Sequence, residues 1–176
     1  MVDKLYIGGM AGAGRYHELK SIGVTHVVNM ANYSTHHECR HAGIEYLIVS
    51  SIDMPSYNIE QHFDEIFRFI DTALRSGGCV YVHCMAGISR ASTAVIMYLM
   101  RARGMRLSDA HQHVKRVRPC IQPNVGFWSA LKRYEQRLAM QGKGSGMQRG
   151  DSSVRKEPQE IWPPDLVQPL KGCSVQ

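Results

Sequence analysis

The chain has 176 residues, 44% of them hydrophobic, and a formal charge of +6, which suits one domain with a tail. No apolar run approaches the length of a membrane-spanning helix. Met1-Val2-Asp3-Lys4 carries neither a signal-peptide core nor the second-position glycine that myristoylation needs.

In chain order, Leu5-Tyr6-Ile7-Gly8 reads as a first strand, and the glycine-rich stretch Gly8 to Gly14 reads as a loop. That stretch lacks the G-x-G-x-x-G register of a nucleotide site. Tyr16 to Ile22 is a short helix ended by Gly23, followed by strands at Val24–Met30 and Glu45–Ser50. Ile59, Phe63, Ile66, Phe67, Ile70 and Leu74 recur at helical spacing, so 59–74 is an amphipathic helix. Asn58 is its expected cap, with Gln61 completing a capping box, and Gly77-Gly78 ends it. Cys79 to Val82 is a central strand, and Ala91 to Arg103 an apolar helix. Ser108 is the expected cap of a helix to Val117. Asn124 is the expected cap of the last helix, with its stripe Phe127, Leu131, Tyr134 and Leu138. Strand and helix alternate, which predicts an α/β fold with a central, mainly parallel sheet flanked by helices. Residues 1–140 then form the folded domain and 141–176 a flexible, disordered tail. That tail contains Gly142-Lys143-Gly144-Ser145-Gly146 and an isolated apolar island, Ile161-Trp162-Pro163-Pro164.

Between the central strand and the apolar helix stands His83-Cys84-Met85-Ala86-Gly87-Ile88-Ser89-Arg90. A strand, a tight loop and a helix N-terminus bring unpaired backbone N–H groups together and make an anion site. A cysteine in that positive field loses its proton readily and becomes a nucleophile. An arginine at the end of the loop can fork two N–H groups onto two phosphate oxygens. Cys84 is therefore the candidate nucleophile, Arg90 the clamp, and Met85, Ala86, Gly87, Ile88 and Ser89 the donors of backbone N–H groups. The remaining cysteines, Cys39, Cys79, Cys120 and Cys173, lack such surroundings. Five is an odd number with no paired metal-ligand spacing, which suits free thiols in a reducing compartment.

His83-Cys84-x5-Arg90 resembles the phosphate-binding loop of the cysteine-dependent protein tyrosine phosphatases, and Met85 to Ser89 resembles their dual-specificity branch. Four further blocks fall in order around it: Leu5 to Gly8, Gly23 to Asn29, Asp53 to Ile59 and Ile121 to Phe127. The resemblance implies that Asp53, 31 residues before Cys84, is the general acid that protonates the leaving oxygen. Asp64, Glu65 and Asp71 read instead as solvated residues of the following helix. It also implies that His83 supports the loop from behind and that Asn124 supports it in addition to capping its helix. The branch usually has a hydroxyl residue directly after the loop arginine, whereas this chain has Ala91 there. Ser89, Ser92 or Thr93 would have to supply the missing hydroxyl.

The reading is a small atypical dual-specificity protein phosphatase that acts on phosphotyrosine and phosphoserine or phosphothreonine through a cysteinyl phosphate. It needs no metal or organic cofactor. Its partners are phosphorylated proteins, not nucleic acids. The alternatives are a phosphatase for a non-protein phosphate ester and a phosphoprotein-binding adaptor with weak activity. The uncharged side chains of Met85, Ala86 and Ile88 disfavour a multiply charged inositol headgroup. The basic group Arg101, Arg103, Arg106, Lys115, Arg116 and Arg118 reads either as an attractor of acidic phosphopeptides or as solvated helix surface. A cytoplasmic or nuclear location is expected; Cys173-Ser174-Val175-Gln176 fits a prenylation signal, with membrane attachment only if Cys173 is modified. The oligomeric state is left open.

Overall fold

The computed structural model describes residues 4–31, 41–144 and 167–169. Five strands form one parallel sheet: β1 (Lys4–Gly9), β2 (His26–Asn29), β3 (Glu45–Ile48), β4 (Cys79–Cys84) and β5 (Val167–Pro169), in the order β3-β2-β4-β1-β5. The helices are α1 (Met10–Ala13), α2 (Tyr16–Ser21), α3 (Phe63–Arg75), α4 (Arg90–Arg103), α5 (Leu107–Val117) and α6 (Val125–Gly144).

The sheet's two faces follow from strand alternation. Leu5 and Ile7 of β1, Val28 of β2 and Val80, Val82 and Cys84 of β4 join the larger core with α3, α4, α5 and α6. Tyr6, Val27, Cys79 and Tyr81 face the other way, with Ala13 of α1 and Leu19 of α2. The central strand β4 is buried along its length, and so is α4 from Arg90 to Met100. Helices on both faces explain this, since a parallel central strand has no solvated side. The nucleophile candidate thus ends the most enclosed strand, at its carboxyl end, where such sheets place ligands.

Several local expectations change. The stretch Gly8 to Gly14 is not a loop: β1 runs through Gly9 and α1 is a single turn. Asn58 makes no side-chain cap, because residues Ile59–His62 form a tighter 3₁₀ turn and the α-helix begins at Phe63. Ser108 is inside α5 and gives its hydroxyl to Asp109. The backbone N–H of Leu107, at the helix start, is satisfied from outside, by Glu135 Oε1 of α6 at 2.7 Å. Val167–Pro169, in the segment expected to be tail, adds to β1 as an edge strand, where proline's missing N–H is tolerated. The apolar island at 161–164, Cys39 and Cys173 lie outside the described residues.

Candidate active site

The site is built by pinning carbonyls. Every carbonyl from Met85 to Ser89 accepts a hydrogen bond from outside the loop. Met10 N donates to Met85 O at 2.9 Å. Arg118 donates through Nη2 to Ala86 O and through Nε to Gly87 O, both at 2.9 Å. Gln122 N donates to Ile88 O at 2.9 Å, and the hydroxyls of Ser92 and Thr93 each reach Ser89 O at 2.8 Å. A trans peptide is planar, with C=O and N–H pointing in opposite directions. Fixing five successive carbonyls outward therefore turns the N–H groups of Ala86, Gly87, Ile88, Ser89 and Arg90 inward. One of them is seen at work: Gly87 N donates to Cys84 Sγ at 3.2 Å. Such donors make a cradle for oxyanions.

The loop is closed so tightly against β1 that Gly87 has no substitute. Its φ is +70°, and a Cβ there would stand 2.4 Å from Gly8 O.

Arg90 is buried. Its Nη1 donates to Met30 O at 2.8 Å and Ser51 O at 2.9 Å, while its Nε is buried without a hydrogen-bond partner. Those two carbonyls hold the guanidinium at one corner and leave Nε as a donor for an anion. Asp53 Oδ2 is 3.7 Å from that Nε. Asp53 Oδ1 accepts from Ser89 Oγ at 2.7 Å and from Asn124 Nδ2 at 2.8 Å. One carboxylate oxygen is thereby anchored, and the other is turned toward the arginine. Asn124 also caps α6, since its Oδ1 accepts from Phe127 N at 2.9 Å in the first turn of that helix. The segment carrying Asp53 packs directly on that turn: a Cβ on Gly126 would be 1.9 Å from Pro55 O.

His83 lies on the opposite face of β4 from Cys84, stacked on Tyr81, with Nδ1 3.4 Å from Cys84 O. It supports the loop backbone and does not face the thiol. Cys79, also on that face, has its thiol pushed up to about 11 by burial, so it is no rival nucleophile near neutral pH. Ser92 Oγ donates to the carbonyls of Ile88 (2.5 Å) and Ser89, Thr93 to Ser89 O, and Ser89 Oγ to Asp53. None of the three hydroxyls is spent on Cys84 Sγ. Among the described residues, no group of three or more His, Cys, Asp or Glu is arranged to hold a metal ion.

Sequence reasoning missed Arg118. It stood in the basic group, but it is buried and bonded to the loop. Its closeness to the Ile121 to Phe127 block was the available signal. The rest of that group is also engaged: Arg101 with Asp64 and over the Phe67 ring, Arg106 with Asp109, Lys115 with Ile121 O and Arg116 with Gln112. Arg103 too has a partner. Arg118→Met leaves the Ala86 and Gly87 carbonyls unpinned. It should lower kcat/KM for an aryl phosphate by about tenfold or more, and weaken inhibition by inorganic vanadate in step. Arg118→Lys, a point charge without the fork, should recover little. A loss of activity with vanadate inhibition intact would show that Arg118 does not hold the cradle.

A family model described as the dual specificity phosphatase catalytic domain matches residues 5–137. The Arabidopsis thaliana protein named dual specificity protein phosphatase 1 is 42% identical over 134 residues, 76% of this chain and 67% of that protein. A Dictyostelium discoideum protein, named as a probable rhodanese domain-containing dual specificity protein phosphatase, is 38% identical over 144 residues. That match covers 79% of this chain and only 29% of the relative. Among solved structures, human DUSP28 superposes with a TM-score of 0.75 at 34% identity, covering 80% of this chain and 96% of that one.

Proposed function

This chain belongs to the dual-specificity phosphatase family, and on that premise we propose that Cys84, Arg90 and Asp53 carry out a two-step phosphoryl transfer from phosphoproteins. The supporting observation is the loop itself: five outward carbonyls, the inward N–H groups they imply, and a thiol at their focus. In the first step Cys84 Sγ attacks phosphorus. The S–P bond forms, the bond to the phosphoresidue oxygen breaks, and Asp53 gives that oxygen its proton. Arg90 Nε and the loop N–H groups take the equatorial oxygens as charge spreads over them. In the second step water attacks phosphorus, Asp53 takes its proton, and the thiolate leaves.

Among the described residues Cys79, Cys84 and Cys120 are free thiols, which supports a reducing compartment as the working location, cytoplasm or nucleus.

The hydroxyls of Ser89, Ser92 and Thr93 are all committed elsewhere, and position 91 is a buried alanine. The departing thiolate thus receives help from Gly87 N and no hydroxyl. Breakdown of the phosphoenzyme should limit turnover. Rapid mixing with a good aryl phosphate should release a burst of phenol equal to the enzyme, then a slower steady phase. Ala91→Ser should speed the steady phase and shrink the burst. A reaction with no covalent phosphoenzyme at all would refute the proposed chemistry; a single phase unaltered by Ala91→Ser would refute only the role of position 91.

A further inference from the structure

Most of a soluble protein's large apolar side chains are expected inside, and here the exceptions are concentrated. Among the described residues five large hydrophobics are exposed: Ile52 (48%), Met54 (52%), Met85 (52%), Val125 (74%) and Met140. The first four are immediate chain neighbours of Asp53, Cys84 and Asn124. The bonds from Asp53 to Asn124 (2.8 Å) and to Ser89 (2.7 Å) draw these three segments together around one opening. Adjacent Cα atoms are about 3.8 Å apart, so the backbone positions that carry these four exposed side chains border that opening. Scattered single apolar residues need no explanation, but a cluster at one opening marks a contact surface. No fold requirement accounts for it, since exposed apolar groups add nothing to the core.

We propose that this apolar rim selects the substrate: a phosphoprotein segment whose residues next to the phosphoresidue are themselves apolar, and not acidic. The inference rests on the phosphatase reading above and names the substrate class of the same site. The charge pattern agrees with it. The basic residues that might have drawn an acidic peptide are bonded elsewhere, and Arg118 is buried behind the loop. An acidic residue beside the phosphate would lose water against Ile52, Met54 and Val125, and Arg101, Arg106, Lys115, Arg116 and Arg118 are already engaged. An apolar neighbour would bury its surface there. A phospholipid surface is the less favoured partner. The four side chains come from three separate segments, not from one face of a protruding amphipathic helix.

The test uses Cys84→Ser protein, so that binding is read without turnover. Three phosphotyrosine peptides of equal length carry Leu and Met, Gly and Ser, or Asp and Glu on both sides of the phosphoresidue. Fluorescence anisotropy should find the apolar peptide bound about tenfold more tightly than the Gly and Ser peptide, with the acidic peptide weakest. Adding Ile52→Ser, Met54→Ser and Val125→Ser should reduce the apolar preference to about twofold or less, while affinity for the Gly and Ser peptide holds. Equal affinities, a preference that survives the three substitutions, or no binding of any peptide would overturn the proposal. So would tighter binding of a monophosphorylated inositol lipid in phosphatidylcholine vesicles. Aryl phosphate hydrolysis by the unsubstituted enzyme is measured alongside. If that fails, the catalytic reading falls, whereas the binding series still decides the rim.

Discussion

Cys84→Ser should abolish measurable hydrolysis of an aryl phosphate, a loss on the order of 10⁴-fold or more, while the melting temperature stays close to that of the unsubstituted protein. The fold has little to lose. The thiol is buried at the end of β4, and a hydroxyl in its place can still accept from Gly87 N. The chemistry has no substitute. A serine hydroxyl stays protonated near neutral pH even in a positive field, so it needs a base beside it. His83 is on the other face of the strand, stacked on Tyr81. Asp53 is anchored by Ser89 and Asn124 and turned toward Arg90. The other buried thiol, Cys79, is held protonated by burial and faces away. Phosphate release by purified Cys84→Ser protein at even a hundredth of the normal rate would mean that the nucleophile is another group.

The chemistry was more legible than its scaffolding. Cys84, Arg90 and the loop between them are contiguous, so their spacing alone describes an anion cradle at a helix start. The order of strands and helices was readable for the same reason: periodicity is local. What the sequence hid is what comes from far away. Arg90 is held by the carbonyls of Met30 and Ser51, and a backbone carbonyl leaves no mark in a sequence. Arg118 is 31 residues from Gly87 and looked like surface charge, because composition does not distinguish a solvated arginine from one bonded to two carbonyls. The Ser108 cap failed in the same way. Ser108 has the right chemistry to cap α5, but Glu135 reaches the helix end first from a neighbouring helix. The Asn124 cap, by contrast, was legible because it is local; its other side-chain bond runs to Asp53, in another of the quoted blocks. The apolar rim was equally invisible. Ile52, Met54, Met85 and Val125 are exposed, and a sequence does not show exposure.

Asp53→Asn should slow hydrolysis of phosphotyrosine peptides by roughly 10²–10⁴-fold, the usual scale for general acid catalysis. The substitution is nearly isosteric, and the structure says what it keeps. Asn Oδ1 can still accept from Ser89 Oγ and Asn124 Nδ2, as the carboxylate does now at 2.7 and 2.8 Å. What it loses is the second oxygen, the one 3.7 Å from Arg90 Nε. An amide nitrogen there cannot supply a proton to the leaving oxygen, and it sets one N–H against another. The deficit should therefore depend on the leaving group. A phenol acidic enough to depart as an anion needs no proton, so for it the deficit should shrink to about tenfold or less. Gly126→Ala supplies the contrast. Its methyl group meets Pro55 O and must push the acid-bearing segment off α6 with Asp53 itself intact. A displaced acid fails for the same leaving groups as an absent one, so both variants should show the same selective loss, with Gly126→Ala the milder. An Asp53→Asn deficit that is equal for poor and good leaving groups would assign Asp53 to holding Arg90 and Ser89 in place, and some other group to proton transfer.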